Sequence, residues 1–246
     1  MTGLIAIYRR EVAAYFETPL AYVFLSVFAF AAPAFAWRVG RLFDTGRADL
    51  APLFDYMPWL LLVLMPALAM RAWAEERDRG TLEVLLASPI ALSEMVLGKF
   101  LAALSIAALA LALTFPMWGA MNYLGNPDNA AIATAYLGAL LLAGGYLALG
   151  QALSASTPNQ VIAFVLGVGA CFLVTVSGAP FVLDALSAHM PGAVAEALAD
   201  LSALARFDSL RRGVISLADL IYFFSLMGLG LGLAMALIDA RRGGGR

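Results

Sequence analysis

The residues able to do chemistry in this chain crowd into one stretch, RAWAEERDRGTLEVLLASPIALSEMVLGKF, from Arg71 to Phe100. Glu75, Glu76, Arg77, Asp78 and Arg79 mix both signs of charge at consecutive positions, and the chain's only lysine, Lys99, lies near the end of the stretch. Such a cluster suits recognition of a partner, because rim charges set specificity and register more than raw affinity. Other chemistries fall away. The single Cys171 and single His189 exclude disulfide frameworks, Cys/His zinc sites and bis-His haem ligation, so a metal site would have to be built from carboxylates. A serine hydrolase would need His189, which the sequence puts in a loop beside Pro191 and Gly192. A phosphate loop needs GxxxxGK followed by Ser or Thr. Lys99 does follow Gly98, but Ser93 and Phe100 occupy the other defining positions. The stretch holds no nucleotide site, and an ATP-driven role requires a separate ATPase.

The elements around the cluster must position it. Gly80 permits a sharp change of direction, Thr81 stands where it can cap a new helix, and Glu83 suits that helix's positive end. Leu82, Leu85 and Leu86 form an apolar stripe at i, i+3 and i+4, and Pro89 ends the helix at or before Ser88. Ser93 and Glu94 then signal the start of the next helix. A helix of two turns is unstable alone. Its leucine stripe must dock, either on the chain's own surface and the lipid headgroups or in a partner's groove.

Everything around this segment reads as membrane. The chain is 63% hydrophobic and 13% charged, with a mean hydropathy of +0.87, whereas soluble domains are about 45–50% apolar and about 25% charged. A net charge of −2 gives no basic field for nucleic acid. Six apolar runs are long enough to span, near Pro19–Trp37, Ala51–Ala72, Leu97–Tyr123, Ala130–Leu153, Gln160–Gly178 and Leu217–Ile238. Pro158 in the polar knot SASTPNQ separates the fourth from the fifth. The second run leaves the bilayer at Arg71 and Trp73, read as a snorkelling cation and an interfacial anchor, and puts the charged cluster in water. With the N-terminus inside, cytoplasmic segments hold nine Lys/Arg residues and the outside six, which favours cytoplasmic termini. Residues 1–17 place Ile5, Tyr8, Val12, Tyr15 and Phe16 opposite Arg9, Arg10 and Glu11, the pattern of an interfacial helix. A leader cleaved after Ala34-Phe35-Ala36 is disfavoured by Glu11 and Glu17 and by Trp37, which reads as an anchor.

The middle of every span lacks Asp, Glu, Lys, Arg and His; Asp55, Asp219 and Asp239 lie towards span ends. A proton- or ion-coupled carrier needs titratable groups at depth, so energy must come from elsewhere. Gly228 and Gly232 offer a GxxxG face for helix packing or a dimer seam. Residues 179–216 form an outer segment in which Val194, Leu198, Leu201 and Ala205 share a face opposite Glu196 and Asp200. Arg206, Asp208, Arg211 and Arg212 close it as a mixed-charge patch, either a cap over an exit or a site for an extracytoplasmic partner.

The stretch EERDRGTLEVLLASPIALSEMVLGKF resembles the permease subunits of ABC transporters of the ABC-2 type. The N-terminal YRREVAAYFETPLAYVF and the C-terminal LARFDSLRRGVISLADLIYFFSLMG are similar to the gliding-motility-associated branch. The resemblance implies one all-α permease domain over 1–246: six transmembrane helices, an interfacial elbow helix over 1–17, and a cytoplasmic coupling helix within 74–95, between spans 2 and 3. It implies a bacterial inner-membrane complex of two permease chains, identical or paralogous, and two copies of a cytoplasmic ATPase that bind ATP and magnesium. This chain would bind no cofactor, and an extracytoplasmic auxiliary subunit would meet the outer patch. Glu75, Glu76, Arg77 and Glu83 would then set register with the ATPase. Leu82, Leu85 and Leu86 would supply the buried contact, and Gly80, Thr81 and Pro89 would shape the helix. The expected activity is export or extraction of a substrate; the alternative is a membrane scaffold that transmits the ATPase's motion to an outer partner.

Overall fold

The longest charge-free helix is the one the fold surrounds. In a computed structural model, which describes residues 2–42, 49–178 and 201–243, every regular element is helical. In chain order these are α1 (Thr2–Glu17), α2 (Pro19–Ala34, running on as a π-helical turn over Phe35–Val39), α3 (Ala51–Ala69), α4 (Arg71–Asp78), α5 (Leu82–Leu86), α6 (Leu92–Ala112), α7 (Phe115–Leu124), α8 (Asn129–Ser156), α9 (Gln160–Val176), α10 (Ala203–Arg211) and α11 (Leu217–Gly243). Asp128 starts α8 by accepting from the Ala130 and Ala131 amides, both at 3.0 Å. Helices α3, α6, α9, α10 and α11 then pack around it.

Small residues make these approaches possible. A Cβ on Gly230 of α11 would lie 2.6 Å from the Ala148 carbonyl carbon of α8, so only glycine admits this crossing. The flanking Gly228 and Gly232 face open space instead, and the close intrachain contact uses the glycine between the two that the sequence singled out.

Among the described residues, five helical stretches are long and apolar enough to cross a membrane: Pro19–Val39, Ala51–Asp78, Leu92–Leu124, Asn129–Ser156 and Leu217–Ala240. This is a multi-pass membrane protein. Helix α9, expected as a further span, has 17 residues and so measures about 25 Å against a hydrocarbon core of about 30 Å. Asn159 begins it, accepting from the Val161 and Ile162 amides at 2.8 and 3.2 Å.

Several local features refine the expectations. The run over Leu97–Tyr123 lies within one membrane-length stretch, Leu92–Leu124, which has a turn at Thr114, just before Pro116, where the Thr114 hydroxyl donates to the Leu111 carbonyl at 2.7 Å. The N-terminal helix does more than lie on an interface: Ile7 and Tyr15 are buried, and Ile7 packs at Gly98 of α6. In the outer segment, Val194, Glu196, Leu198 and Asp200, like His189, lie outside the described residues. Leu201 and Ala205 are exposed, while Ala203, Phe207 and Leu210 turn inward, with Phe207 and Leu210 meeting Gly138 of α8. Helix α10 therefore docks on α8 through Phe207 and Leu210, residues outside the face that the sequence singled out.

Candidate functional site

Helix α3 stops at Ala69 and α4 resumes at Arg71. The short α4 brings the charged cluster out of the apolar layer, and α1 and the start of α6 close around it. The Arg71 guanidinium grips Glu75 through two hydrogen bonds of 2.5 and 3.1 Å and donates to the Thr18 hydroxyl at 2.9 Å. Arg79 also pairs with Glu75, at 2.6 Å. Glu76 accepts from Arg10 of α1 at 2.6 Å, from Lys99 of α6 at 3.1 Å and from the Thr81 hydroxyl. Lys99 donates at 2.8 Å to Glu11 and lies 5.3 Å from the centre of the Trp73 ring, a cation–π distance.

These pairs form a joint between three elements distant in sequence. Lys99 is only 4% exposed, and the Glu75 and Glu76 side chains only 14% and 15%. The sequence reading put this cluster in water. The fold instead folds much of it under α1, and partial desolvation makes each pair stronger and each missing partner more costly. Trp73, expected as an interfacial anchor, is fully buried beneath Lys99. Burial, with Glu11 adding to it, holds the Tyr15 phenol above its ordinary pKa. It stays protonated and donates to the Leu68 carbonyl at 3.1 Å.

The turn after α4 is set locally. Gly80 has φ +69° and nothing within 4 Å of a would-be Cβ, so the backbone conformation alone demands glycine. Thr81 stands at the N-cap of α5, but its hydroxyl does not cap; it turns back to the Glu76 carboxylate and carbonyl. Donating to a carboxylate is a charge-assisted bond, stronger than accepting from a neutral amide as a cap would, and it sets the hydroxyl's direction.

Helix α5 is five residues long. Leu85 is buried, Leu82 and Leu86 are half-buried against the core, and Glu83, Val84, Ala87 and Pro89 are exposed. Val84, at 74%, is the most outward apolar residue of this helix. The leucine stripe rests on the chain itself, beside a groove lined by Ala6, Ile7, Val84, Leu85 and Ile90. Arg77 is half-buried, and Arg79 is exposed while holding Glu75.

A second charged layer occupies the other end. Arg211 holds Asp208 at 2.5 and 3.1 Å and also pairs with Asp55, while Arg212 pairs with Asp208 from its other side. Arg206 meets the buried Asp219 at 3.4 Å. Burial alone would raise the Asp208 carboxyl, but hydrogen bonds from Arg211 and Arg212, with their charges, hold it below the ordinary aspartate range. From Asp55 to Arg71 is about 24 Å along the helical rise, so an apolar slab of about that depth separates the two charged layers.

Sequence reasoning assembled α4, Gly80 and α5 but missed Arg10, Glu11 and Lys99 as their partners. A signal was present: a lone lysine at the mouth of an apolar helix needs a counter-ion. Among the described residues no cluster of His, Cys, Asp and Glu could hold a metal ion, and Glu11, Glu75, Glu76, Asp55, Asp208 and Asp219 are each engaged by a cation. The arrangement suits mechanical positioning of α5. A family model described as ABC-2 family transporter protein matches residues 43–238. No curated protein matches the sequence.

Proposed function

The chain belongs to the ABC-2 family transporter proteins, and from that membership we propose that it is the permease subunit of an ATP-driven exporter, worked through α5 by a separate ATPase. As a family member it is a membrane component of ABC transport. In the proposed cycle ATP binding closes two ATPase subunits, which carry the α4–α5 arms of two permease chains and re-pack the spans around a central path. The substrate is exported or extracted.

One observation carries this reading: α5 sits at the tip of an arm whose root is fixed by ion pairs to α1 and α6, while Glu83, Val84, Ala87 and Pro89 stay exposed. The contact offered to an ATPase is then the outward face with Gly80 and Thr81, and Leu85 supports it from behind. Charges at Glu75, Glu76 and Arg77 contribute through the arm's posture. The nine-to-six Lys/Arg bias supports a cytoplasmic position for this end, with α9 as the sixth span and both termini inside. The outward Gly228 and Gly232 suit a seam with a second permease chain. Arg212, exposed at the opposite end, suits an outer partner, and the terminal stretches support the gliding-motility-associated branch.

Purification from native membranes in mild detergent, through a tag after Arg246, tests the proposal. A stoichiometric soluble ATPase is expected, lost on Val84→Glu while the permease itself stays folded. A homo-oligomer free of ATPase in several detergents would overturn it.

A further inference from the structure

The helical course that begins at Ala51 and ends at Asp78 is interrupted at Met70. A break in a helix frees backbone groups that are costly to bury without partners. Two hydroxyls from other helices take them up here. Tyr15 of α1 donates to the Leu68 carbonyl at 3.1 Å. Ser154 of α8 donates to the Met70 carbonyl at 2.7 Å and accepts from the Trp73 and Ala74 amides at 3.1 and 3.0 Å. One serine oxygen therefore bridges the break. Ser154 is fully buried and Tyr15 is 8% exposed, so water scarcely competes for these bonds.

Packing differs on the two sides. Just before the break α3 is seated tightly: a Cβ on Gly150 of α8 would lie 2.7 Å from that of Ala69, and one on Gly167 of α9 would lie 2.9 Å from Pro66. Beyond it, the inner turn of α4 is buried at Trp73 and Ala74 against α8, and the outer turn is held by the ion pairs of Glu75 and Glu76. Close-packed glycine contacts do not slide, whereas polar pairs can exchange partners.

We infer that the Met70 break is a hinge on which the α4–α5 arm turns, and that Tyr15 and Ser154 are positioning residues whose hydroxyls hold its angle. Turning the arm releases the Trp73 and Ala74 amides from Ser154 and returns them to carbonyls four residues back, as in a continuous helix. Broken and continuous forms both satisfy their backbone groups, so the arm has two states rather than a graded bend. Use of the hinge by an ATPase rests on the proposed function; the hinge itself does not.

The test is a distance. Spin labels on Val84→Cys and Val161→Cys, at positions 74% and 68% exposed, are measured by electron–electron double resonance in lipid nanodiscs, with labelled chains diluted into unlabelled ones. Native Cys171 is buried and stays unlabelled. The parent should give one narrow distance. Ser154→Ala and Tyr15→Phe should each split or broaden it, and Ser154→Thr, which keeps the hydroxyl, should restore it. An unchanged distance in both Ser154→Ala and Tyr15→Phe, or a Thr variant that behaves like Ala, overturns the hinge. Tyr15→Phe keeps the ring and its packing, which leaves a readable variant should Ser154→Ala fail to fold. A responsive distance with no ATPase on the purified permease would sink the transporter coupling and leave the hinge standing; the reverse pattern would do the opposite.

Discussion

Lys99 shows how much one residue can hold. Its ammonium answers two carboxylates, Glu11 and Glu76, and sits over Trp73. Lys99→Met keeps most of the volume but takes from both acids their buried cation, and removing one partner of a buried pair costs about 3–5 kcal/mol. Because the acids keep some water and both keep Arg10, a loss of about 2–3 kcal/mol is expected in detergent thermal unfolding. Adding Glu76→Gln should recover part of it. Gly80 fails in another way. Its left-handed φ with free space around it means that Gly80→Val costs about 1–2 kcal/mol through the backbone alone, and Gly80→Asn should cost less. If Asn and Val destabilise equally, a steric contact and not the dihedral sets the requirement.

Elements carry the next set of consequences. Helix α10 is clasped to α3 by Arg211, which joins Asp208 to Asp55 across the chain. The folded Asp208 carboxyl titrates below the unfolded one. Its pairs therefore stabilise the fold above the ordinary aspartate value of about 3.9 and are lost as pH falls through the lower folded value. Melting temperature of the detergent-solubilised protein should drop on acidification below about pH 4, and Asp208→Asn should lower it at neutral pH while flattening that acid limb. An acid limb unchanged in Asp208→Asn would mean that other carboxylates govern it. Helix α5, by contrast, gains little from its own backbone at five residues. It stands because Leu85 is buried and Thr81 is tied to Glu76, so Leu85→Glu is expected to lower stability and ATPase capture together, whereas Val84→Glu lowers capture alone.

At the largest scale the described residues form an apolar slab between two charged layers, whose orientation has a direct consequence. With the α4–α5 end in the cytoplasm, a cysteine replacing Arg212 should react with an impermeant maleimide on intact spheroplasts. One replacing Val84 should react only after the membrane is opened. The opposite pattern would invert the topology and remove α5 from an ATPase's reach. Much of this plan was legible in the sequence. Hydropathy marked the membrane-length stretches, and Gly80 and Pro89 marked the bounds of the short helix α5. These properties are local, fixed by neighbours a few residues apart or by composition alone. The partners of the charges were not legible. Arg10 and Glu76 are 66 residues apart, Glu11 and Lys99 are 88, and Asp55 and Arg211 are 156. A mixed-charge run has the same composition whether water or another helix covers it, and only the packing of α1 over α4 decided between them. The same holds at Met70, where no local signal announces that a serine 84 residues away bridges the break. Sequence determined that the chain crosses the membrane and where it turns. Tertiary structure alone decided which buried polar groups meet, because meeting is a property of distance in space.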